Sequence, residues 1–357
     1  MILALGAVLA FAAPTYQITH IGNLPGATGG QVTAINNNNV VVGYSTAGSY
    51  RTGFRWSQED GMQDLNRFAY EGMEAHDIND NNRIVGWLQQ GDERKGFYMQ
   101  FQSGLVAVWH DDPLPGHVGS ATRGVNNLGH TVGYSVDNAF SEHAAGWVLP
   151  YGGFLLPGNG LGGSSVAFRI NDASNSVGYT MMDGEKRASL FLNSNQLVDL
   201  HTMLPAGATS SIARDINDQG VIVGDYMDPQ DHLQSFVFNP ELGMLYPVET
   251  GGFTMSNLNA VSGTGIAVGT ISTAGRTRAS RWTLDQGLVN LNDLIDPASG
   301  WTLKTAYGVN DAGYIVGVGV YQGIESNFML TPVPEPATIV GLGLSVITLL
   351  RRKKANA

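Results

Sequence analysis

Two short stretches place side-chain oxygens at alternate positions: Asp77-Ile78-Asn79-Asp80-Asn81-Asn82 and Asp215-Ile216-Asn217-Asp218-Gln219-Gly220. They approach the D-x-[DN]-x-[DN]-G loop that wraps a calcium ion, so Asp77, Asn79, Asp215 and Asn217 are the candidate metal ligands and calcium the one candidate cofactor. A complete loop adds a bidentate glutamate at its twelfth position, where this chain has Leu88 and Tyr226. The same Asn-rich stretch recurs without the leading Asp after Val125 and Val309, so turn formation is the simpler role. Trp109-His110-Asp111-Asp112, with His117 close behind, sets an imidazole beside carboxylates in what reads as a loop. With Glu74, these acids are the candidates for a glycosidase or polysaccharide lyase, a chemistry that needs two carboxyls about 5–10 Å apart. A solvated loop cluster is the competing reading. The eight histidines form no H-x-x-x-H or H-E-x-x-H pair, and neither a nucleophile elbow, a P-loop nor a dinucleotide fingerprint occurs. No catalytic residue is assigned on these grounds, and a non-catalytic role is expected.

Composition narrows the elements that could position such groups. The 357 residues include 47 Gly, only 14% are charged, and 43% are apolar. A helical bundle would need far more Ala, Glu, Lys and Leu, and a disordered chain far fewer apolar residues. A turn-rich β protein remains. The net charge of −11, with only 19 Lys plus Arg, argues against a nucleic-acid partner, because phosphate binding needs a basic stripe. Without Cys there is no disulfide framework and no thiolate site.

The dipeptide Val-Gly then organises the whole chain. It ends at Gly43, Gly86, Gly133, Gly178, Gly224, Gly269 and Gly317, at intervals of 43, 47, 45, 46, 45 and 48 residues. A period near 45 belongs to propellers and related arrays. Each unit reads as four strands, here lettered a to d. Strand a ends at Ile-Asn, an Asn/Asp/Gly turn follows, and strand b is the Ile-Val-Gly-Tyr run. Strand c carries one or two aromatics (Phe54 and Trp56, Phe97, Trp147, Phe191, Phe236 and Phe238, Trp282, Phe328), expected in the core between blades. Strand d is a short apolar run such as Leu197-Val-Asp-Leu200. The seventh unit lacks strand d, and Tyr16-Gln-Ile-Thr-His-Ile21 at the other end matches it. The expectation is an all-β, seven-bladed propeller over 14–331, closed by the N-terminal strand completing the last blade. The even repeat leaves no room for a grafted lid, so any ligand is expected on the face of the d-to-a loops, around the central channel.

Both ends read as addresses. Residues 1–13, MILALGAVLAFAA, form an apolar run with an Ala10-Phe11-Ala12 site, predicting a signal peptide cleaved near Ala12 and Ala13. A buried N-terminal element is the alternative. At the C-terminal end, Pro334-Glu335-Pro336 precedes fourteen uncharged residues, 337–350, and the basic tail 351–357 with Arg351 and Arg352. The apolar run predicts a short transmembrane helix held with its cations on the cytoplasmic side. Segment 332–357 closely resembles the PEP-CTERM sorting signal of Gram-negative bacteria, in motif, apolar helix and basic end together. The resemblance implies processing by an exosortase, transient inner-membrane anchoring, and release to the cell surface or extracellular polymer.

Residues 16–330 also resemble extracellular HAF repeats, which combine Ile-Asn-Asn/Asp-x-Gly-x-Val-Val-Gly-Tyr with Ala-Phe-x-Trp and Met-x-Asp-Leu stretches. Gly53-Phe54-Arg55-Trp56 and Gly61-Met62-Gln63-Asp64-Leu65 match well. Together the two resemblances imply a secreted surface or biofilm-matrix protein, a binding or structural module with exopolysaccharide as its candidate partner.

Overall fold

The computed structural model describes residues 16–66, 70–102, 105–148, 151–158 and 163–333. The expected signal peptide with Ala12 and Ala13, the motif Pro334-Glu335-Pro336, the helix 337–350 and the tail with Arg351 and Arg352 lie outside them. Among the described residues, no helix is long and apolar enough to cross a membrane.

Seven four-stranded antiparallel sheets follow one another along the chain. Six are simple meanders of consecutive strands. The first begins at Gly29–Ile35, the second at Gly72–Ile78, the third at His117–Val125, the fourth at Ser165–Ile170, the fifth at Ser211–Ile216 and the sixth at Met255–Val261. The seventh takes three strands from Trp301–Val309, Ile315–Tyr321 and Ile324–Pro332, and its fourth is Tyr16–His20, the first strand of the chain. That strand pairs in register, Ile18 opposite Leu330 and Thr19 opposite Met329.

The blades adhere through apolar residues of strands b and c. Phe54, Phe97, Phe191, Phe236 and Phe328 are fully buried, and Trp56, Trp147 and Trp282 nearly so, as their place in the repeat predicted. One cluster joins Val32, Val41 and Phe54 of the first blade to Val316 and Met329 of the seventh. Burying one such ring or branched side chain contributes about 1.5–3 kcal/mol.

The turn after strand a does two things at once. Asn36 Oδ1 accepts from the amides of Asn38 and Val40 at 3.1 and 2.9 Å, shaping its own hairpin. Its Nδ2 donates 2.9 Å to the Asn79 carbonyl of the next blade. Asn79, Asn126 and Asn171 repeat that step at 2.7, 3.0 and 3.1 Å, and Asn217 donates 2.9 Å to the Ser262 carbonyl. Asn310 of the seventh blade donates 3.1 Å to the Asn36 carbonyl of the first. Where Ser262 replaces the Asn, Gly263 N instead donates 2.6 Å to Asp311 Oδ1.

Candidate functional site

Every blade carries the same irregularity in its innermost strand. The register skips one residue between Val32 and Ala34, Ala75 and Asp77, Thr122 and Gly124, Ala167 and Arg169, Ala213 and Asp215, Leu258 and Ala260, and Ala306 and Gly308. A bulge leaves its extra residue out of the ladder and re-aims the side chain. The seven extra residues are Thr33, His76, Arg123, Phe168, Arg214, Asn259 and Tyr307, and all seven line one axial cavity of about 240 Å³, with Gln31 and Arg169. The Val-Gly glycines are the bulges' mates. A Cβ at Gly43 would overlap the Gln31 carbonyl oxygen, and the same clash with the facing strand a recurs at Gly86, Gly133, Gly178, Gly224, Gly269 and Gly317. Only glycine lets the bulged strand lie that close.

The cavity is rich in cations, which differ in how their charge is met. Arg214 is ion-paired with the buried carboxylate of Asp225. Arg169 lies between two blades' acids, its Nε 3.9 Å from both Asp77 Oδ1 and Asp215 Oδ1, while its Nη1 donates 2.8 Å to the Arg123 carbonyl. Arg123 enters no ion pair among the described residues. Its guanidinium sits 5.8 Å from the centre of the Tyr134 ring, and its Nε is buried with no hydrogen-bond partner.

His76 and Glu74 form a buried pair at the same level. His76 Nε2 is 3.0 Å from Glu74 Oε2, and Nδ1 is 2.9 Å from the Thr122 carbonyl. With both nitrogens facing acceptors, the pair needs one proton beyond those of a neutral ring and a carboxylate. Burial raises the Glu74 carboxyl, but hydrogen bonds from His76 and Arg51 outweigh it and bring it down to about 2. Burial, and then the Arg123 charge, bring the His76 ring down to about 4, against the upward pull of Glu74. Arg51 is also paired to Glu74.

The opposite end of the axis is acidic. The cavity there, about 180 Å³, is lined by the Asn collar and by Asp80, Asp172, Asp218 and Asp311. These carboxylates also link blades: Asp80 Oδ1 accepts from the Asn37 amide, and Asp172 Oδ1 from the Asn127 amide, each at 2.8 Å. Burial raises the Asp218 carboxyl, and the charges of Asp172, Asp311 and Asp80 add to the rise.

The residues singled out as calcium ligands are engaged elsewhere. Asp77 Oδ2 accepts from the Val125 amide at 3.0 Å and Asp215 Oδ2 from the Val261 amide at 2.8 Å, both facing Arg169. Burial raises both carboxyls, Asp215 to about 6, against the pull of Arg169. Asn79 and Asn217 belong to the collar. Among the described residues, no group of three or more His, Asp or Glu is arranged to hold a metal ion.

The expected acidic loop is mostly strand. Leu105–Asp111 is the outer strand of the second blade, extended until Asp111 lies opposite Gly96. Asp111 is buried and accepts from the hydroxyls of Thr122 and Thr131 at 2.9 and 3.0 Å, whereas Asp112 is exposed beside Lys95 at 3.5 Å. Reading motifs alone missed the bulge residues. Their one signal is positional: each stands three residues before the Asn or Ser of the turn and varies in type where its surroundings repeat.

No protein-family model matches the chain, and no curated protein does. Solved structures do. A catalytically inactive virginiamycin B lyase from Staphylococcus aureus, with quinupristin, is 10% identical and aligns over 89% of this chain and 100% of its own, with a TM-score of 0.55. A streptogramin B lyase is also 10% identical, over 89% and 98%, with a TM-score of 0.53. The acylaminoacyl peptidase of Pyrococcus horikoshii is 11% identical over 84% of this chain and 52% of its own, with a TM-score of 0.50. At such identities the likeness is one of fold alone, and the fold is an all-β propeller of seven four-stranded blades.

Proposed function

We propose that this chain is an extracellular repeat protein, sorted by an exosortase through Pro334-Glu335-Pro336 to the surface or matrix of a Gram-negative bacterium. Its propeller, closed by the Tyr16–His20 strand, binds a saccharide at the cationic axial cavity and does not cleave it. The observation that carries the binding role is a contrast: a frame repeated seven times aims residues of six different types into one cavity. A mere spacer has no use for variety on its axis. Gln31, near the start of strand a, lines this cavity and not the acidic one, so the d-to-a side is the face from which a ligand is expected to approach. Amides, cations and aromatic rings hold sugars, whereas two-carboxyl hydrolysis needs acids that the described lining does not supply.

Cleavage of a polysaccharide is the second reading, favoured by the buried Glu74–His76 pair beside the cavity. A glycan array and a reducing-sugar assay on the purified protein separate the two. Retention without turnover is expected, and turnover lost in Glu74→Gln would establish the enzyme. For the address, replacing Pro334-Glu335-Pro336 by alanines should leave the protein in the membrane fraction, and unchanged release would remove the exosortase.

A further inference from the structure

We propose that the axial cavity is an acid-sugar site in which Arg123 takes the carboxylate of a uronate residue at a chain end. This rests on the saccharide-binding reading above and names the ligand's chemistry. Three guanidinium groups and one imidazole reach the cavity, and the lining described contains no carboxylate. Two of those guanidinium groups are already answered, Arg214 by Asp225 and Arg169 by Asp77 and Asp215. His76 is answered by Glu74. Arg123 alone among these cations has neither a counter-ion among the described residues nor a partner for its buried Nε.

A guanidinium left without a counter-ion where it lines a cavity calls for a partner that arrives from outside. The partner must be an anion. A planar guanidinium fork matches a carboxylate bidentately, and the Arg123 guanidinium lies 5.8 Å from the centre of the Tyr134 ring. Phe168 and Tyr307 supply the apolar faces on which a sugar ring can lie. The cavity, about 240 Å³, is smaller than the ~300–1,000 Å³ of sites for drug-sized ligands, which suits one terminal sugar and not a run of polymer. A chain of net charge −11 repels polyanions in general, so the cationic axis marks a local, selective site.

Calorimetric titration of the purified protein with an oligoglucuronate, and with the same oligosaccharide after carboxyl reduction, tests the assignment. The acidic form should bind at least tenfold more tightly, weaken as salt rises, and lose tenfold or more in Arg123→Gln, with Arg123→Lys in between. Should the glutamine variant fail to fold, the Nε–Hε nuclear resonance signal of Arg123 in the unmodified protein gives the answer, moving with glucuronate and staying still with glucose. Equal affinity for the acidic and reduced oligosaccharides would overturn the acid-sugar site while leaving saccharide binding intact. A sulfated oligosaccharide bound in preference to the carboxylated one would overturn the uronate. Binding of neither acidic nor neutral sugar would remove both the site and the reading beneath it.

Discussion

Asp111 shows how far a residue's surroundings can move its chemistry. Burial pushes its carboxyl up to about 6, against the opposing hydroxyls of Thr122 and Thr131. In the unfolded chain the same group titrates at about 3.9. The folded state therefore holds the proton more tightly, and stability falls as pH rises from about 4 through about 6, by roughly 3 kcal/mol for a two-unit difference. Asn at this position keeps an oxygen for both hydroxyls and never ionises. Urea unfolding of Asp111→Asn should match the wild type at pH 4 and exceed it by up to roughly 3 kcal/mol at pH 7. A gap independent of pH would show that Asp111 does not titrate in that window. Sequence suggested a surface acid here because the charged string Trp109-His110-Asp111-Asp112 looks like a loop; the strand's extra length, which buries Asp111 and leaves Asp112 outside, is set by pairing with Gly96.

At the level of the element, the bulge and its glycine act as one device. The glycine was plain in the sequence as the clock of the repeat, but its cause lies on the neighbouring strand. In the third blade a Cβ at Gly133 would strike the Ala121 carbonyl, next to the bulge that aims Arg123. Gly133→Ala should therefore cost about 2 kcal/mol or more, in the range of overpacked cores, and weaken ligand binding by tilting Arg123. Gly119→Ala in the facing strand a of the same blade is the control, since its Cβ would meet nothing nearer than the Arg94 carbonyl at 3.4 Å. Denaturant titration of both variants decides the matter, and equal losses would mean that the glycine does not hold the bulge. The residue aimed by the bulge was hidden because alternation along strand a gives no warning of an inserted residue. A one-residue slip reassigns faces without altering the pattern of apolar residues that precedes it.

For the whole molecule, the decisive feature is the contact of the first strand and the first blade with the seventh. Tyr16–His20 covers the edge of Ile324–Pro332, and Val32 N reaches across to Asn327 Oδ1 at 2.9 Å. Deleting residues 1–20 removes the buried Tyr16 ring, worth about 1.5–3 kcal/mol, and bares a strand edge. The truncated protein should melt at lower temperature and in more than one step, with hydrogen exchange accelerated first in the seventh and first blades. A single transition at the original midpoint would show that the strand does not hold the seventh blade in place. The axis also has two characters at this scale, basic and aromatic at one end and acidic at the other. Neither is visible in a net charge of −11.

The sequence by itself determined the period, the four strands in each unit, the turn residues and the aromatic core, because these follow from local propensity and from burial repeated every 45 residues or so. It also showed that the first strand belongs to the last blade, since a unit lacking one strand and a spare strand at the other end are both written in the chain. Tertiary structure alone decided which residues face the axis and which charges go unanswered. Thr33 and Tyr307 lie far apart in the chain and meet only because seven bulges turn the same way around one centre. Whether an arginine is paired depends on carboxylates brought in from other strands and blades, and that assembly leaves no mark on the order of the residues.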